Sequence, residues 1–129
     1  MEYLDDNRIL SGRQFGFRAG HSAEDQLLKF YSEVVQEVDR GNAVDVVFLD
    51  YSKAFDVVSH YTIVEKLVAL GFHRSVVAWV QNFLYLRKMS VIVGGVKSRT
   101  LDVGSGVPQG SVLGPVLFLI YVNAIPSGI

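Results

Sequence analysis

Val44-Asp45-Val46-Val47-Phe48-Leu49-Asp50-Tyr51-Ser52-Lys53-Ala54-Phe55-Asp56 is the stretch on which the reading of this chain turns. Residues 44–49 are β-branched or large and apolar apart from Asp45, the pattern of a strand covered on both faces, and they are predicted to form a central strand. Upstream, Ser22 precedes Ala23-Glu24-Asp25, so its hydroxyl can cap a helix while Asp25 supplies the acid of a capping box. Leu27, Leu28, Tyr31, Val34, Val35 and Val38 then recur at spacings of three and four. They give one apolar face, and Gly41 is placed to end a helix of about 18 residues.

Downstream, Tyr61 to Leu70 reads as a helix ended by Gly71, and Ser75 to Leu86 as a second, with Val76, Val77, Trp79, Val80, Phe83 and Leu84 inside. Ser90 to Val93 and Val96 to Val103 read as two strands. The Gly94-Gly95 pair between them tolerates the positive φ that a two-residue hairpin turn needs. A last helix is predicted to begin near Ser111. With no repeat and no linker, these elements make one α/β or α+β unit. The expectation is the α+β class, with central strands and flanking helices.

Composition narrows the possibilities. The chain has 129 residues, 50% of them hydrophobic and 19% charged, which allows one domain with a dense core and excludes wholesale disorder. A mean hydropathy of +0.29 exceeds what a small self-sufficient domain needs, so further segments packing on this one are expected. Cysteine is absent, which excludes disulfides and thiolate chemistry and makes an intracellular setting the default. The N-terminal residues do not read as a secretory signal. Gly114 and Pro115 interrupt the most apolar run, Val112 to Val122, which is far shorter than the roughly 20 residues of a membrane span. A soluble protein without membrane contact is expected.

The net charge of −1 hides an asymmetry. Residues 1–65 hold 12 acids and 6 bases, whereas residues 66–129 hold 6 bases and the single acid Asp102. Arg87, Lys88, Lys97 and Arg99 fall in one short stretch, which is either a phosphate-tracking patch or a solvated hairpin edge.

Two stretches can carry chemistry. Asp50 follows the predicted strand at its carboxyl end, where α/β sheets place their ligands and where a hard cation such as Mg²⁺ finds carboxylate oxygen; alternatively it only opens the turn. Asp56 or Ser59 can cap the next helix. Gly104-Ser105-Gly106-Val107-Pro108-Gln109-Gly110-Ser111 is a glycine-rich loop leading from strand to helix. It lacks the Gly-Lys-Ser/Thr of a P-loop, and Gln109 stands where a dinucleotide fingerprint has its third glycine. What remains is a Pro-stiffened turn that aims Gln109 at whatever lies beside the strand end. Tyr3-Leu4-Asp5-Asp6 reads as a short amphipathic turn at a fraying end, with solvated acids and with Leu4, Ile9 and Leu10 as its apolar residues. His21, His60 and His73 lack the spacing of a metal site or a nucleophile-activating pair and read as surface or capping residues.

Three of these stretches, in this order, resemble the reverse transcriptases, and in particular those of jockey-type non-LTR retrotransposons. Gln14-Phe15-Gly16-Phe17-Arg18-Ala19-Gly20-His21-Ser22 is similar to the family's finger-to-palm block, Phe48 to His60 to its motif A, and Gly106 to Asn123 to its motif B. The likeness runs over about residues 3 to 126. It implies that residues 1–129 are a partial reverse transcriptase domain, the fingers-palm portion of a right-hand polymerase. Two Mg²⁺ ions, with Mn²⁺ as a substitute, would drive attack of a DNA primer's 3′-hydroxyl on a deoxynucleoside triphosphate chosen by an RNA template. On this likeness Asp50 is the catalytic carboxylate and metal ligand. Tyr51 stands at the nucleotide, and the backbone beside Asp50 helps to hold the second ion. Phe55 is the bulky residue that closes on the sugar 2′ position, Gln109 lies along nucleotide and template base, and Gly110 keeps that approach open. Arg18 falls near template or triphosphate. Nucleic-acid binding, if the chain has it, is expected to run through Arg87, Lys88, Lys97 and Arg99 as the densest basic cluster.

The likeness has gaps. The family's other two aspartates sit in a Tyr/Phe-Ala-Asp-Asp hairpin beyond motif B, and the sequence ends at Ile129 before any such hairpin. Most of the fingers, the motif D lysine region and the thumb have no counterpart either, and Ala23 replaces a usual Thr. The expectation is a fragment or decayed copy of a retroelement polymerase, inactive alone, whose family acts in the nucleus. Its last helix, with Val112, Leu113, Val116, Leu117, Leu119 and Ile120, is expected to expose an apolar patch and to drive self-association. The alternatives are a non-catalytic module that holds RNA or a protein partner through the basic hairpin and the Gln109 loop, and a structural remnant with no ligand.

Overall fold

A computed structural model describes residues 1–123. In chain order it contains α1 (Glu2–Asp6), α2 (Ala23–Asp39), α3 (His60–Ala69), α4 (Arg74–Leu84), β1 (Arg87–Met89), β2 (Ile92–Val93), β3 (Val96–Lys97), β4 (Leu101–Val103) and α5 (Leu113–Val122). Local chemistry sets the boundaries. Ser22 and Asp25 form the complete capping box, each side chain accepting from the other's backbone N–H, and Gly41 takes φ +83 just after α2. Ser59, not Asp56, caps α3 by accepting from the Thr62 N–H, and the His73 ring accepts from the Ser75 N–H at the start of α4. Ser111 accepts from the Gly114 N–H at 3.0 Å at the head of α5.

The hairpin forms around Gly94 and Gly95, whose φ values of +59 and +81 suit the tight turn. It starts earlier than expected, at Arg87, and splits into two antiparallel ladders, β1 with β4 and β2 with β3. Between the ladders the Ser98 hydroxyl accepts from the Val91 N–H at 2.9 Å, a side chain taking a place that backbone pairing leaves open.

The core lies between α1, α3, α4 and α5, with Val58 and Val107 completing it. Leu117, Leu119 and Ile120 of α5 are buried in it together with Ile63 and Leu67 of α3 and Val80 and Leu84 of α4. The end of α5 is tied to the N-terminal segment. The Asn123 amide accepts from the Ser11 N–H at 2.8 Å and donates to the Ile9 carbonyl at 2.7 Å. Lys66 of α3 donates to the Tyr121 carbonyl, and burial lowers its pKa below the usual lysine value.

Five expectations are corrected. Residues 44–49 form no strand, and Val47, Phe48 and Leu49 are 81%, 83% and 69% exposed. A strand needs a ladder partner, and the hairpin strands pair only with one another, so among the described residues nothing pairs with this run. The apolar residues of α2 lie along one side as the spacing requires, yet none is buried: Leu27, Leu28, Tyr31 and Val38 are all exposed. The apolar patch expected on α5 is therefore found on α2 and residues 44–49. Only Val112 of the residues named on α5 is exposed, because α3 and the N-terminal segment cover that helix. On α4, Val76 and Trp79 face solvent, and Trp79 stacks on Phe83 at 5.9 Å. The N-terminal turn is anchored, not frayed: Leu4 is buried, and the Tyr3 hydroxyl donates to the Leu70 carbonyl at 3.0 Å. His60, lastly, is a buried residue.

This distribution makes a stability prediction. Leu119→Ala, at a fully buried position, should cost about 2–5 kcal/mol of unfolding free energy. Leu27→Ala and Leu28→Ala should each change it by less than about 0.5 kcal/mol, since both leucines are solvated. Urea melts of the three variants check this.

Candidate functional site

The site grows from a joint between residues 55–58 and the glycine-rich loop. The Gly106 N–H donates to the Val58 carbonyl and the Val107 N–H to the Phe55 carbonyl, each at 2.8 Å. The Ser105 hydroxyl donates to the Asp56 carbonyl at 2.9 Å. His60 Nε2 donates to the Gly106 carbonyl at 2.8 Å, which fixes the proton on that nitrogen, since a carbonyl only accepts. The two backbones approach so closely that a Cβ on Gly106 would sit 2.8 Å from the Asp56 carbonyl oxygen, and Gly106 also has φ +87. Only glycine satisfies both conditions.

Beyond the joint, the loop is held to the head of α5. The Ser111 hydroxyl donates to the Pro108 carbonyl at 2.7 Å, and a Cβ on Gly114 would meet that same oxygen at 2.7 Å. Pro108 and Gln109 are thereby fixed at the backbone. The Gln109 amide Nε2 donates to Asp56 Oδ1 at 3.3 Å, so the side chain beside which the loop aims its glutamine is Asp56.

Phe55, half-buried, stacks on Phe118 of α5 with ring centres 4.4 Å apart and planes 16° from parallel. Phe17 meets its edge at 5.8 Å. Phe17, Phe55, Pro108, Gln109, Gly110 and Pro115 line one cavity of about 300 Å³. A groove of about 470 Å³, sharing Pro108 and Gln109 with it, is bordered by Asp56, Arg87 and Gln109. A larger groove of about 840 Å³ lies by Ser59, His60, Tyr61 and Tyr85 and touches none of Asp50, Phe55 or Gln109. The only imidazole there already holds the Gly106 carbonyl through Nε2. The Tyr61 hydroxyl has its pKa raised by its hydrogen bond to Glu65, which makes it a weaker acid than a free tyrosine.

The structure thus brings Phe55, Gln109 and Gly110 together from two separate stretches. Asp50 and Tyr51 are exposed on the unpaired segment and do not line that cavity. Arg18 is turned inward, donating to the Ser11 carbonyl at 3.0 Å and to Asp5 at 3.3 Å, and braces the N-terminal segment. Arg87 lies over the Phe83 ring at 5.9 Å, while Lys88 pairs with Asp102 at 3.7 Å, an exposed contact worth about 0–1 kcal/mol. Lys97, on β3, and Arg99 are exposed.

No group of three or more carboxylate or imidazole side chains able to hold a metal occurs among the described residues. A lone carboxylate such as Asp50 does not hold Mg²⁺, which sheds its water only where several oxygen ligands converge. These residues by themselves do not fit a divalent-ion site.

Sequence reasoning missed Phe118, which braces Phe55, the burial of His60, and the Asp56–Gln109 pair. Phe118 was hidden in a uniformly apolar helix. Asp56 and Gln109 are 53 positions apart, and no local pattern signals such a contact.

Residues 2–129 match the reverse transcriptase (RNA-dependent DNA polymerase) family. The chain is 34% identical over 125 residues to a probable RNA-directed DNA polymerase from transposon BS of Drosophila melanogaster, covering 97% of this chain and 14% of that protein. It is also 34% identical over 136 residues to the RNA-directed DNA polymerase from mobile element jockey of Drosophila melanogaster, covering 98% of this chain and 15% of that protein. A third similar protein is a probable RNA-directed DNA polymerase from transposon X-element of the same fly, 34% identical over 96% of this chain and 14% of its own length. The chain therefore spans about one seventh of the length of these relatives.

The joint itself is testable. Gly106→Ala must relieve both a left-handed backbone and a clash with the Asp56 carbonyl, and should cost about 2–5 kcal/mol of stability. Gly104→Ala, with open space around it, should lie within about 0.5 kcal/mol of wild type. Thermal melts of the two variants make the comparison.

Proposed function

The chain belongs to the reverse transcriptase family, and from that premise we propose that its residues work inside a longer RNA-directed DNA polymerase of a non-LTR retroelement. Residues 14–22, 48–60 and 106–123 are then its finger-to-palm block, motif A and motif B within a right-hand polymerase, with RNA template, DNA primer and deoxynucleotides as partners. The observation that carries this reading is the meeting of Phe55 and Gln109 on one cavity, from stretches that are far apart in sequence.

Phe55 acts as a wall. Its ring is stacked on Phe118 and edged by Phe17, so it cannot swing aside cheaply to admit a 2′-hydroxyl. Gln109 supplies a hydrogen-bonding amide beside that wall, and Gly110 adds no side chain to obstruct the approach. Divalent ions of the kind this family generally uses would stabilise charge on the reacting phosphates. Asp50 is one carboxylate toward such a centre, and the described residues do not complete it. The hairpin bases Arg87, Lys88, Lys97 and Arg99 track the nucleic-acid backbone. Arg87 borders the groove that Gln109 also borders, which carries positive charge up to the nucleotide cavity.

Primer extension on an RNA template tests the reading in the longer polymerase. Asp50→Ala should abolish incorporation there, and Phe55→Val should raise ribonucleotide use relative to deoxyribonucleotide use. An unchanged ratio in a folded Phe55 variant counts against the assignment. Residues 1–129 alone should give no template-dependent extension with Mg²⁺ or Mn²⁺.

Hybrid binding by the chain should weaken as salt rises, and alanine at all four hairpin bases should flatten the slope by up to about 3–4 in log–log units. Fluorescence anisotropy across a salt series reads this, and an unchanged slope would remove the hairpin from the interface.

A further inference from the structure

We infer that Asp56 is the positioning residue for Gln109: it selects which atom of the glutamine amide faces the nucleotide. The inference rests on the proposed reading in which Gln109 lies along the bound nucleotide. An amide side chain has two faces of opposite character, a donating NH₂ and an accepting carbonyl, and rotation about its last bond exchanges them at little intrinsic cost. A residue that recognises a ligand through such a group needs something that removes the ambiguity.

Asp56 does so. Its carboxylate can only accept, so the amide atom facing it must be Nε2, as observed at 3.3 Å; the flipped amide would set oxygen against oxygen. The loop backbone is already fixed by the Gly106 and Val107 bonds and by Ser111 at Pro108, which leaves the glutamine's own torsions as the freedom still to be removed. With Nε2 engaged, Oε1 remains as the acceptor that Gln109 offers at the cavity it lines with Phe55 and Gly110. Asp56 itself is held in place by its backbone: its carbonyl accepts from Ser105 and its N–H donates to the Lys53 carbonyl at 2.8 Å. Replacing its side chain therefore leaves the joint's backbone bonds intact.

The test is a double-mutant cycle in the longer polymerase, read as deoxynucleotide KM and kcat in primer extension. Asp56→Ala should raise KM about five- to tenfold, with kcat changed by less than about twofold. Asp56→Asn, which keeps an accepting oxygen, should recover most of that loss. On a Gln109→Ala background, Asp56→Ala should add nothing, because the residue it positions is gone. Additive effects of the two substitutions, or an unchanged KM in Asp56→Ala beside an active wild type, would overturn the inference while leaving the polymerase reading intact. A wild-type protein that extends no primer removes both. Circular dichroism of each variant verifies folding, and Asp56→Asn carries the comparison if Asp56→Ala does not fold.

Discussion

The contact between Gly106 and the Phe55–Asp56 backbone is the constraint on which the rest of the site depends. Because no Cβ intervenes, two stretches about fifty residues apart can exchange backbone hydrogen bonds, and the loop is held at residues 105–107 and again at Pro108. Contacts around the cavity build on that approach. Phe55 reaches Phe118, Gln109 reaches Asp56, and the buried His60 fills the carbonyl that the joint would otherwise leave open. A buried carbonyl without a partner costs about 1–3 kcal/mol, so His60 contributes to stability by satisfying it.

Helix ends and the hairpin turn were legible in the sequence, because serine caps, glycine stops and a Gly-Gly turn act through neighbours a few residues away. Ser22, Ser59, Gly41, Gly71 and Gly94-Gly95 all act as their local chemistry dictates. Which face is covered was less legible. The spacing of Leu27, Leu28, Tyr31 and Val38 does specify one side of a helix, but spacing carries no information on whether anything lies against that side. The same holds for residues 44–49: β-branched composition makes a segment suited to a ladder, and a ladder requires a second strand. For the candidate site, the loop's own residues brought Gln109 to notice and the resemblance added Phe55 and Gly110, and the structure adds the packing that gives them one cavity. His60 escaped because burial of a histidine depends on a carbonyl 46 residues away.

Charge follows the same division. The acids of the first half include α2 and the exposed segment after it, and the bases of the second half gather on the hairpin. The acidic and basic elements are thus different ones, and one hairpin base, Arg87, borders the same groove as Asp56 and Gln109.

The capping box of α2 has a consequence for dynamics. A helix of 17 residues with no buried side chain takes little of its stability from tertiary packing and most of it from Ser22, Asp25 and its own ladder. Few buried apolar contacts place a segment at the low-stability end of a structure, so α2 should open at lower free energy than the α3–α4–α5 core. Amide hydrogens in the two regions should then report two different opening equilibria within one chain.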